Sequence, residues 1–122
     1  MTTRKGKLMD IATSTWQDWT IVAIQGGFVV RHLVDLRNTL DSLEKHQTPR
    51  VALDLSGTSY MDSSAISLIL NIKSRFEARG GGIAVFGANK ELRELFSIVD
   101  LQQVVSIYPD QSAFEAAMSF SS

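Results

Sequence analysis

The segment whose residue types could best take part in chemistry runs from Tyr60 to Ile66, where Asp62 is followed by two adjacent hydroxyls, Ser63 and Ser64. A helical apolar pattern follows, so Asp62 falls where an N-cap accepts hydrogen bonds from unpaired backbone N–H groups. A phosphate on either hydroxyl would also meet free N–H groups and the positive end of the helix dipole, so the helix would tolerate it. The residue types therefore allow a plain helix cap or a phosphate acceptor. Capping alone does not explain the apolar residues Tyr60 and Met61 that precede Asp62.

Other kinds of chemistry lack the residues they need. The chain has no cysteine, which excludes thiol nucleophiles and iron–sulfur ligation. His32 and His46 lie near opposite ends of one predicted helix, too far apart to share a metal. The glycines at 80–82 precede a strand, whereas glycines that bind phosphate follow a strand and open a helix. Asp54 is interpreted as a turn residue. We therefore predict no enzymatic activity, no cofactor and no metal.

Composition points to one folded domain without a nucleic-acid partner. Of 122 residues, 44% are hydrophobic, and 12 Lys and Arg oppose 13 Asp and Glu for a net charge of -1. This balance lacks the basic excess typical of nucleic-acid binding. No apolar run approaches the roughly 20 residues that a membrane-spanning helix needs. Because no apolar stretch follows the basic residues near the N-terminus, we expect no membrane insertion and a cytoplasmic location.

The periodicity of apolar residues predicts an α/β protein of order β-β-α-β-α-β-α-β-α. We expect a flexible tail over residues 1–7 and a single domain over 8–120. The first two strands, at about 8–15 and 18–25, form a hairpin with a turn at Gln17-Asp18. The other predicted elements are a helix at 31–46, a strand at 51–55, a loop at 56–61, a helix after Asp62, a strand at 83–86, a helix capped by Asn89, a strand at 104–108 and a helix after Pro109-Asp110.

The stretch from Val51 to Ala65, VALDLSGTSYMDSSA, resembles the signature segment of the STAS domain family, named for sulphate transporters and anti-sigma-factor antagonists. In that signature a strand ending in Asp-Leu-Ser precedes a loop and then Asp-Ser-Ser/Thr-Gly. The resemblance continues through 80–96 and 104–117 and covers about residues 8–118. It implies a mixed sheet of four to five strands with about four helices packed mainly on one face. A chain of this size is similar to the stand-alone antagonists of the family.

The resemblance also implies a function and a site. Ser63 is the implied phosphate acceptor, which Asp62 and Ser64 support. The implied partner is an ATP-dependent serine kinase of the histidine-kinase-like ATPase type that is also the anti-sigma factor; a PP2C-type phosphatase reverses the modification. The unphosphorylated form binds this partner and the phosphorylated form releases it. The implied partner-binding residues are Thr58, Ser59, Tyr60, Met61, Ala65, Ile66, Gly27, Phe28, Val29 and Val30.

Two departures from the family pattern bear on the partner. Ala65 replaces the usual glycine, which predicts a stiffer helix start or a slightly filled docking surface. The predicted loop at 26–30 is apolar where relatives commonly carry an acidic residue near Val29, which predicts a more apolar partner surface.

Two alternatives remain open at this stage. One is a non-phosphorylated scaffold in a lipid-transport or stressosome-like complex, and the other is a small-ligand sensor that binds between sheet and helices. For the oligomeric state we expect a monomer or a weak dimer.

Overall fold

The computed structural model describes residues 9–28, 33–45 and 49–119. It confirms the predicted α/β class and the order of its elements, with one strand added. The predicted tail at 1–7 lies outside the described residues. The elements are β1 (Met9–Trp16), β2 (Trp19–Phe28), α1 (Leu33–Glu44), β3 (Arg50–Asp54), β4 (Thr58–Met61), α2 (Ser63–Ala78), β5 (Gly82–Phe86), α3 (Lys90–Ile98), a 3₁₀ turn (Leu101–Gln103), β6 (Ser106–Tyr108) and α4 (Gln111–Ser119).

The strands form one mixed sheet in the order β1-β2-β3-β5-β6. β1 and β2 are the predicted antiparallel hairpin, and the other pairings are parallel. β2 is 10 residues long and has two neighbours on the same side: its first half pairs with β3, and its end pairs with β4. The described residues thus form six strands where the sequence predicted four to five.

Side chains of the sheet alternate between two apolar layers. Residues such as Val22, Leu53 and Val85 pack in the larger core with α1, α2 and α3. Their neighbours Ala52 and Ala84 face the opposite side, where Phe114 of α4 packs. Three of the four helices therefore cover one face and α4 covers the other, which agrees with the prediction that the helices lie mainly on one face.

The predicted loop at 56–61 was wrong in its last four residues, because residues 58–61 form β4. Thr58 and Met61, at the two ends of β4, are buried, while the two residues between them are exposed. This pattern lacks the run of apolar residues that marks a buried strand. The strand exists because it pairs with the end of β2, where the register shifts between Gly26 and Gly27. Such long-range pairing leaves little trace in the local sequence.

The prediction that a loop starts directly after residue 25 is also wrong in part. Gly27 and Phe28 belong to β2, which runs three residues past its predicted end. Gly26 has a φ of 95°, a conformation that glycine adopts without strain, so the strand continues through an irregularity instead of stopping there. Val29 and Val30, the other two residues predicted for this loop surface, lie outside the described residues.

Candidate functional site

The site forms where β4 ends and α2 begins. Asp62 has the extended backbone of an N-cap, and its Oδ1 accepts a hydrogen bond from the Ala65 N–H at 3.1 Å. Its main-chain carbonyl accepts the first hydrogen bond of the helix, from the Ile66 N–H at 3.3 Å. The capping role predicted for Asp62 is confirmed. The cap fixes the direction of the first turn, which carries both serines.

The two hydroxyls lie in different surroundings. Ser63, the first residue of α2, is exposed, whereas Ser64 is half-buried. Ser64 lines a cleft between α1 and α2 together with the exposed Arg37 and with Ser67. Neighbouring residues of a helix point about 100° apart. A macromolecule that approaches the end of α2 therefore meets Ser63 in the open and Ser64 beside a guanidinium group.

The predicted partner-binding residues divide into exposed and buried groups. Ser59 and Tyr60 are exposed on β4, and 58% of the Tyr60 surface is accessible. The other four residues predicted on β4 and α2 are at most 7% exposed, so they mainly support the surface from below. These are Thr58, Met61, Ala65 and Ile66.

Ala65 is completely buried in the core. It therefore does not fill the docking surface, which was one of the two consequences predicted for this departure from the family pattern. The other consequence, a stiffer start to α2, stays a prediction.

Hydrogen bonds hold β4 in place from both sides. The buried Thr58 hydroxyl donates to the Ile24 carbonyl of β2 at 2.6 Å. On the other side, the Asn89 side-chain amide donates to the Thr58 carbonyl at 3.4 Å. Tyr60 pairs with Gly27, so the end of β2 lies directly beside the exposed part of β4. The described part of the predicted 27–30 segment therefore lies next to β4.

The turn that leads into β4 is built around Asp54. Its Oδ1 accepts hydrogen bonds from the Ser56 N–H at 2.9 Å and from the Ser56 hydroxyl at 2.6 Å. Gly87 passes so close that an added Cβ would lie 2.5 Å from the Ser56 hydroxyl oxygen, and its φ is 85°. The interpretation of Asp54 as a turn residue is confirmed.

Sequence reasoning missed the contribution of α3. Glu91, Leu92 and Leu95 of α3 line a groove of about 390 Å³ together with Ser59, Tyr60 and Met61. The local sequence carried no signal for it, because it depends on β3 and β5 being parallel neighbours, so that the helices that follow them start at the same edge of the sheet. Asn89 begins α3 there by accepting a hydrogen bond from the Leu92 N–H at 2.8 Å. The surface around Ser63 thus continues into a partly apolar groove with an acidic residue on its wall.

An ion cluster holds α1 against α2 farther along the helix. Arg75 of α2 donates hydrogen bonds to Glu44 and to Asp41, both of α1. The pKa of the Arg75 guanidinium is raised, mainly by the hydrogen bond to Glu44 and to a smaller extent by the hydrogen bond to Asp41. Arg75 also donates to the Asn71 side chain at 3.0 Å, and Asn71 lines the Arg37 cleft. The cluster therefore helps to fix the wall on which Ser64 lies.

Comparisons with known proteins agree with the resemblance to the STAS domain family. The sequence profile of the STAS domain matches residues 10–113. An anti-sigma-B factor antagonist of Staphylococcus epidermidis is 23% identical over 99 residues, which cover 81% of this chain and 92% of the relative.

Two solved structures show the same fold. One is an anti-sigma factor antagonist from Mycobacterium paratuberculosis, with a TM-score of 0.76 at 14% identity, covering 88% of this chain and 92% of the other. The second is the Bacillus cell fate determinant SpoIIAA in its phosphorylated form, with a TM-score of 0.67 at 15% identity, covering 88% of this chain and 99% of the other. Within the described residues, no helix is long and apolar enough to cross a membrane.

Proposed function

Because this chain belongs to the STAS domain family, we propose that it is a protein-binding switch of the anti-sigma-factor antagonist kind. The unphosphorylated chain binds an anti-sigma factor that is also an ATP-dependent serine kinase of the histidine-kinase-like ATPase type. Phosphorylation of Ser63 releases that partner, and a PP2C-type phosphatase restores binding. The name of the Staphylococcus epidermidis relative supports the antagonist role. The structure of SpoIIAA in a phosphorylated form supports a phosphate-controlled mechanism.

The observation that carries the proposal is the exposure of Ser63 at the first position of α2, next to the capping Asp62. A kinase needs an accessible hydroxyl. Ser63 meets this requirement, because the Asp62 cap places it at the helix start and its side chain is exposed. Ser64 is half-buried in the cleft with Arg37 and is the less accessible acceptor.

Electrostatics explain how a phosphate at Ser63 would release a partner. A phosphoserine carries about -1.5 to -2 charges at neutral pH. At the start of α2 it meets unpaired backbone N–H groups, so the helix itself tolerates the charge. The same phosphate lies beside the Asp62 carboxylate, and binding a partner over both groups would remove two like charges from water. That cost weakens the complex without any large change in the fold.

The partner surface extends from Ser63 across β4 to α3. Tyr60 is the large side chain at its centre, with an apolar ring and a polar hydroxyl, a combination common in binding hot spots. The groove beside it has an apolar floor made by Leu92 and Leu95 and a carboxylate from Glu91. We expect the partner to insert an apolar side chain here and to place a basic group near Glu91.

Phosphopeptide analysis of the protein isolated from its native cells under two growth conditions tests the proposal. A phosphoryl group adds about 80 Da, and we expect it on Ser63 in a condition-dependent amount. Ser63→Ala removes the acceptor, and Ser64→Ala is the matched control that keeps it. A chain that stays unmodified in every condition would contradict the switch and favour a constitutive scaffold. A phosphate confined to Ser64 would mean that the acceptor is misassigned.

A further inference from the structure

The outer edge of the sheet at β1 presents unpaired backbone groups. Among the described residues β1 pairs with β2 alone. Trp16 and Trp19 flank a two-residue turn, and in such hairpins the flanking pair exchanges both hydrogen bonds. Bonded and non-bonded pairs then alternate along the ladder. The N–H and C=O groups of Ile11, Thr13 and Thr15 therefore point away from β2.

An independent contact agrees with this assignment. The same alternation directs the main chain of Ile24 away from β1 and toward β4, and the Ile24 carbonyl accepts the hydrogen bond from the Thr58 hydroxyl there. The Gly26 N–H likewise points away from β1 and donates to the Gly57 carbonyl at 3.0 Å.

The β1 edge lacks the features by which proteins prevent edge pairing. Natural edge strands are short, or carry charges, prolines or bulges. β1 is 8 residues long and pairs with β2 in unbroken register. Its central residues, Ala12 to Thr15, are uncharged and exposed on both faces of the sheet. Among the described residues, no strand other than β2 pairs with β1.

We propose that β1 pairs with β1 of a second copy of this chain, antiparallel about a twofold axis at Thr13. Only residues whose N–H and C=O groups point away from β2 can bond to the second copy, so each of them must lie opposite another such residue. Thr13 therefore faces Thr13 of the second copy, and Ile11 faces Thr15. The Thr13–Thr13 pair and the two symmetry-related Ile11–Thr15 pairs form about six backbone hydrogen bonds, two for each of the three pairs. Asp10 falls opposite Trp16, so no like charges meet across the axis.

The second copy is the occupant that the edge itself favours. The uncharged centre of this strand, Ala12 to Thr15, is complementary to its own copy, since Thr13 meets Thr13 and small side chains line both faces. The contact is confined to one strand, so we expect a weak dimer in which the two sheets form one continuous sheet. Strand β4 lies on the other side of β2, which leaves the surface around Ser63 free.

Analytical ultracentrifugation of the whole chain over a concentration series from about 10 µM to about 1 mM tests the dimer, whose population must rise with concentration. We expect the mass to rise from 13.5 kDa toward twice that value. Thr13→Pro removes an outward N–H while sparing the bonds to β2, and should weaken the dimer at least tenfold. Thr13→Ser keeps the N–H and should dimerise like the wild type. A wild-type chain that stays monomeric throughout would overturn the proposal.

Amide hydrogen exchange keeps the test independent of how well the proline variant folds. In the wild-type chain, the amides of Thr13 and Thr15 should exchange more slowly as concentration rises, whereas the Ser14 amide, bonded to β2, should be protected at every concentration. A dimer whose Thr13 and Thr15 amides exchange freely would place the contact elsewhere and refute β1 pairing. Neither measurement involves the kinase or phosphorylation, so failure here leaves the proposed switch untouched.

Discussion

The Asn89 side chain joins α3 to β4 through two hydrogen bonds with different partners. Its Nδ2 donates to the Thr58 carbonyl at 3.4 Å, and its Oδ1 accepts from the Leu92 N–H at 2.8 Å. One residue thus caps the helix and attaches it to the strand on the opposite wall of the groove. The width of the groove beside Tyr60 therefore depends on Asn89.

Substitutions of Asn89 separate these two roles. Asn89→Ala loses both hydrogen bonds and should lower the free energy of unfolding by about 1–2 kcal/mol. Asn89→Asp keeps an oxygen that caps α3 but loses the donor to Thr58, so its free energy of unfolding should fall by less than that of Asn89→Ala. Urea denaturation measures both values. If Asn89→Asp proved as stable as the wild type, the contact with Thr58 would contribute nothing to stability.

Loss of the Thr58 hydroxyl should lower the stability of the protein. The side chain is 3% exposed, and its hydroxyl donates to the Ile24 carbonyl at 2.6 Å. Thr58→Val keeps the shape but leaves that buried carbonyl without this donor, which should cost about 1–3 kcal/mol. Thr58→Ser is the matched control, because it keeps the hydroxyl and loses one methyl group. Thermal unfolding should rank Thr58→Val as the less stable variant; the reverse order would show that packing of the methyl group matters more.

Local signals were sufficient for much of this fold. Asp62 and Asn89 are N-caps that were predicted from their residue type and the helical pattern that follows each of them. The hairpin turn at Gln17-Asp18 was visible because two strand-like segments flank two polar residues. Each of these features depends on residues within one or two turns of chain.

The parts that were missed depend on contacts between distant segments. β4 exists through its pairing with β2, and the last strand is shorter than predicted because Val105 instead donates its N–H to the Leu101 carbonyl. The α3 wall of the groove required knowledge of which strands are parallel neighbours. The cleft that distinguishes Ser64 from Ser63 depends on where α1 packs, which periodicity alone does not give.

Gln17 should be a site where a substitution stabilises the protein. It is the first residue of the hairpin turn and has a φ of 54°, which is unfavourable for a residue with a side chain. Gln17→Gly should relieve this cost and raise stability by up to about 1 kcal/mol. Asp18→Gly is the control, because Asp18 has no positive φ and glycine there adds only backbone freedom to the unfolded chain. A gain for Asp18→Gly with none for Gln17→Gly would contradict the assigned turn geometry.

Asp62 should combine a structural role with an electrostatic one, and two variants separate them. Asp62→Ala loses the bond to the Ala65 N–H and should cost about 1 kcal/mol of stability. Asp62→Asn retains an oxygen that caps α2 and should cost clearly less. The asparagine variant also removes the charge beside Ser63, and a charge pair a few ångströms apart near a surface is worth about 1 kcal/mol or more.

The phosphate effect on binding should therefore shrink in Asp62→Asn. We expect the unphosphorylated variant to bind the anti-sigma factor. Phosphorylation of Ser63 should lower the affinity of both chains, but the fold loss in the variant should be roughly five times smaller than in the wild type, which is equivalent to about 1 kcal/mol. Isothermal titration calorimetry on phosphorylated and unphosphorylated chains measures the four affinities. An identical loss in wild type and variant would mean that the phosphate acts by steric exclusion, because a mechanism based on like charges must depend on the neighbouring carboxylate.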